Sequence, residues 1–565
     1  MWLNVLNDNK SKSFTELQMF TLSVIISLVL LFVYSKNSII YPINDYVDEN
    51  IFFSVTDAMF HGKILYKEIF EHKGPFQYLV VYNLAHILGN SYFTIYLFEC
   101  IANALFVYFS TKIILLYDSK ATKFNIFIYM LCLEFCLCTS ATFMFGGVPE
   151  ELFLWMSSYG LYVTLRCLKQ DQYYSSKEIV WIGIICGAIF WTKYAMLGFY
   201  SGLVLYVLGW NIAQKKLARL GKTVLLFLGG FGISTLPTII YCTITQSFTD
   251  MIDVYFIGNI FGEHQVLSRT ANCYALFFVI FKDVIIFLFI ISGLCFAIKS
   301  SRLNQKVLFI TTALTSFLAS CCLKTFFYYY PMPMLIFLPL GIIAFNNIKS
   351  NSVSKIIKIA VAVILIHIPA SQEVGLRSIV VSNSINPNWV TEEVRIAVKS
   401  IIPLLLLFLS KNQNCLKISR NKIISAITAL VVCTLVGFKL HDPSYFKESP
   451  LPQTRFAKII KQIPQARILV YRMYDVGFNK ISQTYPQIKY FTNLNLVDPK
   501  YMTDVRSYIK YEMIDFIITT PIGLDDLKDV MKDSSYILLD IAEPYYYHEG
   551  TIIFYLYGKQ PEYKE

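Results

Sequence analysis

Apolar runs, most of them near the ~20 residues that carry a helix across a bilayer, recur along the chain. They lie at about 19–35, 91–117, 124–143, 151–168, 179–192, 196–212, 223–243, 272–297, 307–322, 332–347, 357–370, 400–410 and 423–439. The pattern predicts a polytopic α-helical membrane protein with about 13 transmembrane helices. No small-residue cleavage site follows the first run (the chain continues KNSIIYP), so it reads as a retained span or signal-anchor. Composition agrees: 55% of the residues are apolar and 15% are charged, against about 25% charged in an ordinary soluble domain. A disordered chain and an ordinary cytosolic enzyme are excluded on that ground.

Orientation follows from Lys and Arg in the short loops. Every second loop is basic: Lys120 and Lys123; Arg166, Lys169 and Lys177; Lys215, Lys216, Arg219 and Lys222; Lys299, Arg302 and Lys306; Lys349, Lys355 and Lys358; Lys411, Lys417, Arg420 and Lys422. The alternate loops carry Asp48, Glu49, Glu150, Glu151, Asp250, Asp253, Glu263, Glu373, Glu392 and Glu393. The expected arrangement has a cytoplasmic N-terminus, an odd number of spans and an extracytoplasmic C-terminus. The net charge of +11 is then a topology signal, and nucleic acid is not expected as a partner. Richness in Lys, Asn and Ile hints at an AT-rich bacterial genome, and so at a bacterial cell membrane.

Two outward segments are long. The first, 36–90, holds two half-apolar stretches that read as interfacial helices (DENIFFSVTDAMFHG and PFQYLVVYNLAHILG). The second is the polar tail 441–565, where short β-like runs (467–471, 514–520, 536–540, 551–557) alternate with the helix-like RFAKIIKQI and DDLKDVMKD. The chain thus divides into a transmembrane module, 1–440, and a small extracytoplasmic α/β domain, 441–565. The 13 cysteines lie mostly inside apolar runs and none follows Cys433. No spacing suggests a zinc site, and packing is the natural use of buried cysteine.

Candidate chemistry gathers on the outer side. Asp48 and Glu49 stand at the presumed start of an interfacial helix. They either favour that helix start through its dipole or hold a base at the membrane surface for an acceptor hydroxyl. His72-Lys73-Gly74-Pro75 sets a cation and a rigid turn before an apolar helix; Lys73 is a snorkelling side chain or a phosphate partner. In GGVPEE, Glu150 and Glu151 either begin a span or supply a second acidic pair. Lys193 interrupts an apolar stretch, at a cost of roughly 2.5–3.5 kcal/mol on insertion scales, and calls for a partner such as phosphate. Lys324 and FFYYYPMPM (326–334) sit at an outer edge, where tyrosines usually form an aromatic belt. Carboxylates and lysines from separate parts of the chain therefore fall on one face. Sugar transfer from a lipid phosphate needs a base for the acceptor and cations for the leaving phosphate. Lysines in that role make no metal obligatory, and no cofactor is expected.

The order Asp48-Glu49, then Gly62 to Tyr66, then His72-Lys73-Gly74-Pro75 resembles the first outer loop of GT-C superfamily glycosyltransferases. More closely, it resembles bacterial relatives of the protein O-mannosyltransferases (glycosyltransferase family 39) and of the aminoarabinose transferases. Gly74 stands where the latter typically carry the first proline of His-Lys-Pro-Pro. The resemblance implies a GT-C-like fold and a polyprenyl-phosphate-linked sugar donor used on the outer face, usually with inversion. By position, Asp48 would be the base and Glu49 a second catalytic acid. Lys73 and Lys193 would contact the donor phosphate, with Tyr328 beside it. The expected function is transfer of a sugar to a cell-surface glycan, teichoic-acid-like polymer or glycolipid.

Two other classes compete. A transporter or flippase for lipid-linked sugars should carry charges near the midplane and related halves; here the charges sit at one face and no half-repeat is visible. A structural membrane protein with a partner-binding outer domain leaves the first-loop motif unexplained.

Overall fold

A computed structural model describes residues 14–143, 146–262, 279, 283–321, 327–348, 392–411, 419–440, 451–542, 545–547 and 550–559. The apolar runs within these ranges form helices. They are α1 (Glu16–Tyr34), α3 (Tyr92–Tyr117), α4 (Lys123–Thr139), α5 (Pro149–Lys169), α6 (Ser176–Lys193), α7 (Gly198–Ala213), α8 (Leu217–Thr245), α9 (Val284–Ser300), α10 (Leu303–Cys321), α11 (Leu338–Asn346), α12 (Glu392–Lys411) and α13 (Ser419–Leu440). A further helix, α2 (Val47–Phe60), lies between α1 and α3. Among the described residues, five helices are long and apolar enough to cross a membrane: Glu16–Tyr34, Tyr92–Tyr117, Ser176–Ala213, Leu217–Thr245 and Asn421–Phe438. Val284–Ser300 and Met332–Asn346 are shorter apolar helices. The expected count of about 13 draws on shorter runs as well. Of these, 357–370 and most of the first half of 272–297 lie outside the described residues, as does Lys324.

Helix ends follow local chemistry. Thr15 opens α1 with a capping box to Gln18, and Ser175 does the same for α6 with Glu178. Between membrane helices the apolar effect is weak, so close packing at small residues decides who pairs with whom. A Cβ on Gly183 of α6 would stand 2.2 Å from the Phe227 carbonyl oxygen of α8, and one on Gly230 would stand 2.1 Å from that of Val180. These two glycines let α6 and α8 approach backbone to backbone.

The 36–90 loop is folded by aromatic packing. Ile51, Phe52, Phe53 and Val55 of α2 are buried, and Tyr82 meets Phe52 at 5.0 Å and Phe53 at 5.1 Å. Such ring pairs contribute ~0.5–1.5 kcal/mol each beyond the area they bury. They fix α2, and with it Asp48.

The tail forms helix α14 (Pro452–Ile460), then β1 (Ile468–Val470), α15 (Tyr501–Lys510), β2 (Phe516–Thr519), α16 (Pro521–Lys532), β3 (Tyr536–Ile541), β4 (Tyr545–Tyr547), β5 (Gly550–Ile552) and β6 (Tyr555–Lys559). The main sheet has the order β1-β2-β6-β3. β1 runs parallel to β2, while β6 is antiparallel to both β2 and β3. Strand alternation splits the sheet's apolar residues between two cores. Ile468, Val470, Phe516 and Ile518 pack with Phe456 and Ile460 of α14. Leu469 and Ile517 join Ile51, Phe52, Tyr78 and Tyr82 of the 36–90 loop in a shared core. The tail is therefore built onto the 36–90 loop.

Candidate active site

The site is assembled where the 36–90 loop meets the end of α6. Backbone shape comes first: Gly62 (φ 86°) and Tyr66 (φ 69°) both adopt the left-handed region, and the Tyr66 hydroxyl donates to the Lys73 carbonyl at 2.7 Å. The Gly-to-Tyr step is thus a turn that anchors Lys73. The Gly74 N–H donates to the Thr192 carbonyl at 3.2 Å. A Cβ on Gly74 would lie 2.1 Å from the Trp191 carbonyl oxygen and 2.6 Å from that of Thr192. The loop backbone thus rests on the last turn of α6, one residue from Lys193. At Lys193 the chain leaves the helical basin (φ −164°, ψ 95°).

Asp48, Lys73 and Lys193 line one cavity of ≈ 120 Å³, together with His72, Asn259, Tyr329, Tyr330 and Asn495. The lysines are held in ion pairs: Lys73 Nζ lies 3.0 Å from Asp48 Oδ1 and 3.5 Å from Glu71 Oε1, and Lys193 Nζ lies 2.6 Å from Glu150 Oε1. Asp48 Oδ2 accepts from the hydroxyls of Tyr46 and Tyr329, each at 3.1 Å. Lys193 stands 4.5 Å from the ring centres of both Tyr329 and Tyr330. Side-chain exposure is 13% for both Asp48 and Lys73, so the pair is shielded yet reachable.

Burial alone would raise the Asp48 pKa, but Lys73, Lys193 and the Tyr329 hydroxyl outweigh it and hold the carboxyl below its ordinary range. Burial would lower that of Lys73, but Asp48 and Glu71 prevail and raise it. Glu71 goes the other way: burial pushes it up, with Lys73 only partly opposing. Asp48 is the ionised, base-like carboxylate of the group.

Glu49, Glu151 and Tyr328 do not line this cavity. Glu49 does not face the cavity. Neighbours on a helix point about 100° apart, so Asp48 outward turns Glu49 inward. There its Oε2 accepts from Asn37 and Asn44, both at 2.9 Å, and burial together with Glu99 pushes its pKa well above the usual carboxylate range. Glu151 is turned away for the same reason, accepting from the Gly147 N–H at 3.1 Å, while Glu150 holds Lys193. Tyr328 is not among the lining residues; its neighbours Tyr329 and Tyr330 are. Sequence reasoning also missed Glu71, although it directly precedes His72-Lys73; its Oε1 accepts the N–H groups of both, at 2.9 and 3.0 Å.

Gly74→Ala tests this assembly. The added methyl cannot fit without moving α6 from the loop, so Lys73 and Lys193 should separate. Loss of function of at least tenfold is expected, with a lowered melting temperature, since overpacking costs typically 1–3 kcal/mol. Unchanged function and stability would mean the contact is not needed.

A bundle of apolar helices thus holds a carboxylate and two lysines in one cavity between the 36–90 loop, the end of α6 and the tail. No protein-family model and no curated protein sequence matches the chain. Among solved structures it is similar to ArnT from Cupriavidus metallidurans, bound to undecaprenyl phosphate and in the apo state. Each has a TM-score of 0.60 and 12% sequence identity, covering 95% of this chain and 97% of that chain. The likeness establishes the fold, that of a multi-pass membrane protein.

Proposed function

We propose that the protein is a glycosyltransferase of a bacterial cell membrane that moves a sugar from a polyprenyl-phosphate donor to a glycan, teichoic-acid-like polymer or glycolipid on the outer face. The observation that carries this reading is the meeting of Asp48, Lys73 and Lys193 in one shielded cavity. The ArnT fold, seen there with undecaprenyl phosphate, supports the class of lipid donor.

The ion pairs suggest how the site works. Before donor binding, Lys73 is neutralised by Asp48 and Lys193 by Glu150. A donor phosphate competes for both lysines and releases the Asp48 carboxylate toward the acceptor. The acceptor oxygen then attacks the anomeric carbon. The bond from that carbon to the phosphate oxygen breaks with its electron pair going to the lipid phosphate, and the acceptor proton passes to Asp48. The leaving phosphate gains negative charge during this step, so the lysines stabilise the transition state more than the ground state.

Full-length protein in proteoliposomes, given undecaprenyl-phosphate sugars and envelope fractions, should transfer sugar and release undecaprenyl phosphate. A deletion strain should lack a side-branch sugar on a surface glycan. Lipid-linked sugar accumulating on the inner leaflet, without any transferase activity, would instead mark a flippase. Because lysines supply the positive charge, transfer should persist in EDTA; loss that Mn²⁺ restores would contradict this.

A further inference from the structure

We propose that Asn495 is a sugar-selecting residue through which the C-terminal segment takes part in the active site; this rests on the sugar-transfer reading above. Among the described residues it is the single cavity-lining residue contributed by the tail.

Its placement is built in. The segment around it alternates, with Leu494 and Leu496 buried at 6% and 5% exposure and Asn495 between them turned the other way. Leu496 seats on the helical segment that carries Asn259: a Cβ on Gly258 or on Gly262 would each stand 2.9 Å from a Leu496 methyl. The start of the segment is tied to the sheet, Val470 N–H donating to the Phe491 carbonyl at 2.8 Å and Asn493 N–H to the Met473 carbonyl at 3.2 Å. The Tyr474 hydroxyl donates to Asn495 Oδ1, which sets the amide's orientation and leaves Nδ2 without a hydrogen-bond acceptor among the described residues.

Several other donors of this cavity are already committed within the protein. The Thr192 hydroxyl donates to the Ala188 carbonyl at 2.8 Å, that of Tyr255 to the Phe190 carbonyl at 2.6 Å, and that of Tyr329 to Asp48. The Asn259 amide donates to the carbonyls of His72 and Tyr255 at 2.6 and 2.9 Å. The lysines and Asp48 serve the phosphate and the acceptor. A neutral amide N–H held in fixed orientation suits a sugar hydroxyl, and a site built to bond a hydroxyl discriminates against ligands that lack or misplace it.

The test compares binding of two kinds of probe to the full chain in nanodiscs: bare undecaprenyl phosphate, and undecaprenyl phosphate carrying mannose, glucose or N-acetylglucosamine. Wild type should bind the bare lipid and prefer one sugar-bearing form. In Asn495→Ala that preference should fall by on the order of tenfold, as for one lost hydrogen bond, with the bare lipid bound as before. Tyr474→Phe, which keeps Asn495 but frees its amide, should fall between the two. A wild type without sugar preference, an Asn495→Ala protein that keeps it, or equal weakening of both probes overturns the proposal. If wild type fails to bind even the bare lipid, the sugar-transfer reading itself falls.

Discussion

Asp48→Asn should reduce sugar transfer by roughly 10²–10⁴-fold, the usual contribution of a positioned general base, while leaving lipid-phosphate binding intact or tighter. The side chain keeps its shape. Its amide oxygen still accepts from the Tyr46 and Tyr329 hydroxyls that reach Asp48 Oδ2 at 3.1 Å. What it loses is the capacity to take a proton and the charge that neutralises Lys73 at 3.0 Å. Freed of its counter-ion, Lys73 should favour a phosphate anion. Single-turnover transfer measured beside lipid-phosphate affinity separates the two effects. A wild-type rate would remove Asp48 from the chemistry, and weakened lipid binding would mean that Asp48 acts by holding the loop.

Lys73→Ala should lower kcat/KM by at least 10–150-fold, the equivalent of the ~1.5–3 kcal/mol of a hydrogen bond to a charged group. It should also change the pH profile. In the native protein Asp48 is held below its ordinary range, with Lys73 the largest opposing influence to burial. Asp48 therefore stays ionised until pH falls below ~3.9, the value of a free aspartate. Stability from the pair is likewise present above that value and is lost as pH falls through the lowered one. Without Lys73, burial is opposed only by Lys193 and the Tyr329 hydroxyl, and the acid limb of kcat/KM should move upward. A limb that stays in place would show that Lys73 does not govern Asp48. The Asp48→Asn/Lys73→Ala double variant should lose less than the two single losses combined, because the residues are in direct contact.

The helices and the outer-loop motif were legible because each rests on a local signal. Apolar runs set the spans, and turn chemistry at Gly62 and Gly74 marks the loop. The strand runs of the tail were legible from short apolar stretches between polar ones, and β1, β2, β3 and β6 fall within or across them. Which of two adjacent residues faces the cavity was not legible. Asp48 and Glu49, or Glu150 and Glu151, are equivalent in sequence until a helix fixes their rotation. Tyr328, Tyr329 and Tyr330 are equivalent in sequence for the same lack of a rotational reference. In membrane helices the lipid-facing side is as apolar as the packed side, so periodicity does not reveal the inner face. That hid the fully buried Glu99, Asn103 and Glu134. Contacts across long separations were also invisible: Ser54 bonds Asp475 at 3.2 Å, and Asn495 reaches a cavity whose charges lie hundreds of residues earlier.

The most direct test is equilibrium binding of undecaprenyl phosphate to the full chain in nanodiscs, wild type against the Lys73→Ala/Lys193→Ala variant. Two cations meeting one phosphate predict that the wild type binds and that the double variant loses about 100-fold or more, at two charge-assisted bonds of ~1.5–3 kcal/mol each. Equal affinity in the two proteins would place the lipid phosphate elsewhere and contradict the account.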